Sequence, residues 1–157
     1  REQDYRRPEC GRKHCFKLVE WKMKILKVDS DTLEQAWPHA SKWIAKANLR
    51  GNSCYPLEDM KRDIADGKRL LLRCVAGPSF CWLVVGCVEN SQNRTAIVYA
   101  CGGDGVLGML DDIVTFCEAY AAANKCQYIT CSGRSGWVKA LGRYGWNEIG
   151  RTCGKEL

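Results

Sequence analysis

Long hydrophobic runs are missing from this sequence of 157 residues. Its longest apolar stretch, residues 80–88, is far shorter than the roughly 18 residues that a membrane-spanning helix needs. Also missing are the apolar segment that a secretory signal carries, any internal repeat and any low-complexity segment. With 46% hydrophobic and 27% charged residues, the composition excludes a disordered chain, a collagen and a coiled coil. We therefore expect one globular domain.

The excess positive charge lies at the two ends of the chain. The formal net charge is +6; residues 1–22 carry seven Lys/Arg against four Asp/Glu, and residues 132–157 carry five against two. Residues 1–22 also lack a clear hydrophobic periodicity, and they precede Met23, which begins a strand-like segment. We interpret 1–22 as a basic leader or tail, either native or a remnant of other sequence, and 23–157 as the domain.

Cysteine is abundant, with eleven residues, but the count is odd and no secretory signal accompanies it. This favours a reducing compartment with thiols as small core residues. Cys10, His14 and Cys15 have the spacing of half a zinc site, but a second ligand pair at suitable spacing is missing, so incidental thiols in a tail are the alternative.

Hydrophobic periodicity predicts the order β-α-α-β-β-β-α-β-α-β. The predicted strands are 24–28, 69–75, 80–88, 94–101, 127–131 and 146–157, and the predicted helices are 33–47, 56–65, 104–125 and 134–144. Strands in runs between helices indicate an α+β domain, with a mixed, mostly antiparallel sheet flanked by about four helices.

That order, over residues 23–157, resembles the GNAT superfamily of acyl-CoA-dependent N-acetyltransferases. The local matches are a strand, glycines and a helix over residues 98–110, and the pair Gly145-Trp146 after a short helix. The run from Gly133 to Trp137, followed by Leu141, resembles more narrowly a group of bacteriophage-encoded GNAT-like proteins, such as the internal virion protein of short-tailed phages.

The resemblance implies a pyrophosphate-binding loop between the fourth strand and the third helix. Backbone amides at a helix start favour an anion there. The corresponding candidates for binding the cofactor are Cys101, Gly102, Gly103 and Gly105. The family's leading Arg or Gln is missing, and Asp104 brings a negative charge, so a turn with a helix cap is the alternative.

The catalytic positions that the resemblance implies also differ. The family has a tyrosine acid four residues before the Gly-aromatic pair, and this position holds Leu141. Tyr144 is a candidate for a displaced acid, and Glu89 or His39 for the base that deprotonates an amine.

Arg134 and Trp137 follow the predicted fifth strand, where the GNAT fold opens its cleft, and are candidates for the wall of a substrate or partner cleft. Arg134 also belongs to a basic C-terminal set that, with aromatic neighbours, suits single-stranded nucleic acid. The other members of this set are Lys139, Arg143, Arg151 and Lys155.

Three functions remain open at this point. The main hypothesis is a phage-type GNAT-fold protein with a degenerate acyl-CoA site. It would need no cofactor, would bind virion or host proteins, and would act in the cytoplasm of a bacterial host or in the virion. The alternative is an acetyl-CoA-dependent N-acetyltransferase with a divergent loop. The third is nucleic-acid binding. No metal and no membrane contact is expected.

Overall fold

A computed structural model describes residues 22–51 and 55–150. It contains five strands and four helices within these ranges. The strands are β1 (Lys24–Lys27), β2 (Arg69–Ala76), β3 (Ser79–Glu89), β4 (Arg94–Asp104) and β5 (Tyr128–Cys131). The helices are α1 (Leu33–Arg50), α2 (Leu57–Ala65), α3 (Leu110–Ala123) and α4 (Gly136–Gly142), with a 3₁₀ turn over Val106–Met109. Each helix in the described part of the chain is too short or too polar to span a lipid bilayer.

The sheet follows chain order, β1-β2-β3-β4-β5. Neighbours from β1 to β4 are antiparallel; α1 and α2 lie between β1 and β2 in the chain, whereas short turns join β2 to β3 and β3 to β4. β5 lies parallel to β4 and is reached through α3. This confirms the predicted α+β class with a mostly antiparallel sheet.

Two apolar layers cover the two faces of the sheet, because side chains alternate along each strand. Leu72, Cys74 and Leu83 face α3 and pack around Phe116, while Leu71, Trp82 and Val84 face α1 and α2. A third, smaller cluster joins α3 to α4 through Leu110, Val114 and Leu141. The seven described cysteines are free, and three of them are buried, as expected for thiols that fill a core.

Several predicted boundaries were wrong. Residues 146–150, the described part of the predicted last strand, form no strand. Gly145 turns the chain with a φ of +82°, and the Trp146 indole N–H donates to Glu118 of α3 at 3.2 Å, so side-chain contacts rather than strand pairing hold this segment. Residues 151–157 lie outside the described residues.

The start of the third helix also differs from its prediction. Asp104 is the last residue of β4, paired with Phe80, and does not cap a helix. Gly105, with a φ of +69°, turns the chain into the 3₁₀ turn, and no side-chain hydrogen bond caps either that turn or α3. A conformation with positive φ suits glycine, which explains why the helix starts after Gly105 rather than at Asp104.

Candidate functional site

The cleft of the molecule opens where β4 and β5 separate. The two strands pair from Thr95 and Tyr128 to Val98 and Cys131, where β5 ends, while β4 continues along β3 to Asp104. Among residues 22–51 and 55–150, no strand therefore pairs with the outer edge of β4 beyond Val98, and the backbone N–H and C=O groups of this edge face the gap. A cavity of about 540 Å³ occupies this gap, a size typical of small-molecule sites.

A β-bulge lies at the point of separation. Val85 pairs with Val98 and Val84 with Ala100, so Tyr99 is an extra residue with no Cα partner on β3. Bulges bend a strand, re-aim its side chains and occur often beside active sites. Tyr99 lines the cavity and, like Ala100, contacts the apolar layer under α1.

The cavity has two walls of different origin. On one side are the last turns of α1 and Tyr55, on the other the 3₁₀ turn, α3 and α4. α1 can approach closely because Gly102 has no side chain: a Cβ built there would lie 2.4 Å from the backbone oxygen of Trp43. At its end, α1 reaches the segment after β5, since a Cβ on Gly51 would lie 3.5 Å from the Cα of Gly133.

Only positive charges line the cavity among the described residues. Lys46 and Arg50 come from α1 and Arg134 from the segment before α4, and no Asp, Glu or His joins them. Asp104, which the sequence placed beside the glycines, is exposed and does not line the cavity. The local charge therefore favours an anionic ligand.

Three thiols also line the cavity, at Cys101, Cys117 and Cys131. Burial raises the pKa of Cys117 and of Cys131. A hydrogen bond with Cys81, together with burial, raises the pKa of Cys101. These thiols stay protonated at neutral pH, so they form part of the wall rather than nucleophiles.

Six of the residues singled out from the sequence lie together around the cavity. They are Cys101, Gly102, Gly103, Gly105, Arg134 and Trp137. Gly103 has a packing role as well, because a Cβ on it would lie 2.0 Å from the Phe80 backbone oxygen. Trp137 covers Gly133, whose Cβ would lie 2.7 Å from the indole Cδ1. Leu141, at the position of the family's acid, lines the cavity too.

The three catalytic candidates lie elsewhere. The Tyr144 hydroxyl donates to Asp111 and accepts a hydrogen bond from Arg143 at 2.6 Å, outside the cavity lining. Burial and the Asp111 bond raise its pKa. Glu89 is exposed at the end of β3, opposite Arg94, and does not line the cavity; neither does His39. Their catalytic roles stay predictions.

Other predicted sites have less structural context. Cys10, His14 and Cys15 lie outside the described residues, as do Arg151 and Lys155. Within 22–51 and 55–150, no three His, Cys, Asp or Glu side chains are grouped so that they would hold a metal ion.

Sequence reasoning missed Tyr55, Tyr99, Lys46 and Arg50. The positions of Lys46 and Arg50 were recognisable from helical spacing. Lys46 lies three residues after Trp43 and Arg50 lies four residues after Lys46, so all three share one face of α1. Tyr99 had no such signal, because only the pairing of β4 with β3 reveals the bulge.

Comparison with solved structures identifies the architecture. An aminoglycoside acetyltransferase, meta-AAC0020, from an uncultured soil metagenomic sample has a TM-score of 0.61 at 13% identity, covering 86% of this chain and 96% of that chain. A GCN5-related N-acetyltransferase from Ralstonia eutropha JMP134 has a TM-score of 0.63 at 14% identity, with coverages of 85% and 98%. A predicted acetyltransferase from Clostridium acetobutylicum, solved with acetyl-CoA, has a TM-score of 0.61 at 10% identity, covering 85% of this chain and 96% of that chain.

These similarities show the GNAT-like fold. No protein-family model and no curated protein sequence matches the chain.

Proposed function

We propose that this protein is an acetyl-CoA-dependent N-acetyltransferase. The observation that carries the proposal is the separation of β4 from β5, which leaves one edge of β4 unpaired along a cavity of about 540 Å³. An unpaired strand edge binds extended ligands that contain amides, because their N–H and C=O groups replace those of a missing strand. The pantetheine arm of coenzyme A is such a ligand.

The residues present fit the phosphates of this substrate. The Gly108 amide donates to the Gly105 carbonyl at 3.0 Å within the 3₁₀ turn. Val106 and Leu107 line the cavity at the start of this turn, where the first backbone amides of a helical segment lack intrahelical partners. No side-chain cap hydrogen bond is made there, so these amides are open to an anion. Arg134, which lies on the same wall of the cavity as the 3₁₀ turn, adds attraction that does not depend on the family's missing Arg or Gln.

The acetyl-CoA complex of the similar clostridial protein supports acetyl-CoA as the donor here. When bound, acetyl-CoA supplies an acyl group activated as a thioester. The chain contributes binding and orientation: the β4 edge would hold the donor in line, and α1 with Tyr55 would form the wall that the acceptor meets.

Leu141 lowers the expected rate without excluding the reaction. It is 8% exposed, lines the cavity and has no proton to donate to a leaving thiolate. A thiol has a pKa of about 8.5, so its thiolate leaves without obligatory protonation. Loss of a general acid typically costs a factor of about 10² to 10⁴, so we expect a slow enzyme.

Calorimetric titration of acetyl-CoA and of coenzyme A into the full chain tests the proposal. We expect dissociation constants in the micromolar range. Gly108→Phe should abolish the heat of binding, because Gly108 lines the cavity and a phenyl ring there would take up the space of the ligand. The variant should still fold, since a Cβ at this position meets nothing within 4 Å. Gly142→Phe is the matched control, since Gly142 is equally open but does not line the cavity. Absence of heat at millimolar coenzyme A would refute the proposal.

A second candidate function is a binding or virion-assembly role without acetyl transfer, in a bacterial host or its phage. Leu141 supports it, because a tyrosine acid is missing where the resembling family has one. This candidate predicts co-purification with a defined host or virion protein and no acetyl transfer to any amine. Nucleic-acid binding through Arg134 and its basic neighbours would instead appear as a steep dependence of affinity on salt.

A further inference from the structure

We infer that the acceptor of this site is an aromatic amine that carries a carboxylate group. The inference rests on the proposed acetyl transfer and names its acceptor. It uses three properties of the cavity lining: its charge, the absence of a carboxylate among the described residues, and its flat aromatic side chains.

Two of the positive charges in the cavity lining, Lys46 and Arg50, lie on α1, the wall that the acceptor would meet. Arg50 is the last residue of α1, whose end approaches the segment after β5: a Cβ built on the next residue, Gly51, would lie 3.5 Å from the Cα of Gly133. One turn earlier on α1, the Lys46 ammonium lies 5.1 Å from the centre of the Trp43 ring. An acceptor that approaches along α1 therefore meets cations, which repel a polyamine and attract a carboxylate.

A base for an alkyl ammonium is missing from the described lining. Asp63 stands behind Tyr55, whose hydroxyl donates to it at 2.6 Å, and it is also paired with Arg69 at 3.1 Å. These contacts hold the pKa of Asp63 below its usual value, so it is a poor proton acceptor. An amine on an aromatic ring is already uncharged at neutral pH, because the ring delocalises its lone pair, and needs no base to become a nucleophile.

Aromatic side chains form much of the surface around this route. Trp43, Tyr55, Tyr99 and Trp137 all line the cavity, and the Tyr55 and Tyr99 ring centres lie 6.4 Å apart. Such surfaces favour a flat ring through offset and edge contacts.

The transfer balances without a further reactant. The aryl nitrogen attacks the thioester carbonyl carbon, a C–N bond forms and the C–S bond breaks. The nitrogen loses one proton and the departing thiolate gains one, so the products are an N-acetyl arylamine and coenzyme A.

The test uses the full chain with acetyl-CoA and follows thiol release and product mass. The acceptors are 4-aminobenzoate, its uncharged analogue 4-aminobenzamide, and kanamycin as a polycation. We expect kcat/KM for 4-aminobenzoate to exceed that for 4-aminobenzamide by about tenfold, the size of one hydrogen bond to a charged group. We expect no acetylation of kanamycin.

Charge removal identifies the residues responsible. In the double variant Lys46→Gln/Arg50→Gln, the ratio of kcat/KM for 4-aminobenzoate to kcat/KM for 4-aminobenzamide should fall to about one. Lys42→Gln is the matched control, because Lys42 is exposed on α1 but does not line the cavity, and it should leave this ratio unchanged.

Four results would count against the inference. Acetylation of kanamycin, or equal rates with the two benzoic acid derivatives, would overturn it while acetyl transfer stands. Binding of acetyl-CoA without transfer to 4-aminobenzoate would also overturn it. If acetyl-CoA does not bind at all, both this inference and the proposed function fail.

Discussion

The guanidinium carbon of Arg69 lies 3.7 Å from the centre of the Tyr99 ring. The same carbon is 4.0 Å from the centre of the Tyr55 ring, and Nη2 is 3.1 Å from Asp63 of α2. Arg69 is 8% exposed, and its Nη1 has no hydrogen-bond partner among the described residues. A buried cation therefore supports both tyrosines of the cavity wall and ties α2 to the bulge of β4.

We expect Arg69→Met to lower the free energy of unfolding by about 2 kcal/mol, the contribution of a desolvated cation over an aromatic ring. Urea denaturation followed by circular dichroism measures it. Arg73→Met is the control on the same strand, because the Arg73 guanidinium is exposed and lies 5.8 Å from the Trp82 ring centre. Equal losses in the two variants would contradict a special role for Arg69.

Stability should fall in acid partly through Asp63. The hydrogen bond from Tyr55, with the charges of Arg69 and Lys68, lowers the pKa of Asp63 in the folded protein. Such a group stabilises the fold above its unfolded pKa of about 3.9, and this stabilisation is lost as pH falls through the lower folded pKa. Urea midpoints measured between about pH 6 and 2 should therefore decline less steeply for Asp63→Asn. Tyr55→Phe should show an intermediate slope, and identical slopes in all three proteins would refute this assignment.

Gly102→Ala should destabilise the protein by about 3 kcal/mol, at the upper end for overpacking, because the new Cβ would meet the Trp43 backbone oxygen at 2.4 Å. Gly108→Ala is the matched control in open space and should stay within about 0.5 kcal/mol of the parent. Thermal or urea unfolding of both variants decides the point, and a harmless Gly102→Ala would mean that α1 does not pack this closely on β4.

Leu141→Tyr should raise kcat for acetyl transfer by about 100-fold, because it places a phenol in the cavity wall where Leu141 has no acidic group. Leu141→Phe keeps the ring and lacks the hydroxyl, so it separates acid catalysis from repacking. Rates with 4-aminobenzoate as acceptor provide the measurement. A gain shared by both variants would assign the effect to shape rather than to proton donation.

The sequence was sufficient for the order of elements from β1 to α4 because the signals there are local. Alternating side chains in β2 and β3, and the 3.6-residue period of Leu33, Trp37, Ala40 and Ile44, each bury one face of an element. The strand predicted over 146–157 failed in its described part, because the contact of Trp146 with Glu118 joins positions 28 residues apart and leaves no local pattern.

The candidate site was only half predictable for the same reason. Glycines and the segment around Trp137 were recognisable from the resemblance. Tyr99 and Arg69 are 30 positions apart, and their contact depends on β2, β3 and β4 lying side by side. Periodicity within one element does not contain that information.

The extra residue at Tyr99 also decides which face of the sheet each later residue of β4 occupies. Ala96 and Val98 face the α3 layer, Ala100 faces the α1 layer, and Cys101 returns to the α3 layer. In an uninterrupted strand Ala100 would share a face with Ala96 and Val98. If β4 paired without the bulge while Tyr99 was kept, Cys101 and Gly102 would exchange the surfaces that they present to the two sides of the cleft, whereas deletion of Tyr99 would keep these surfaces and remove only the bend. We expect insertion of a further residue at this position to be more harmful than deletion of Tyr99, since after the deletion every later residue of β4 keeps its present partner on β3.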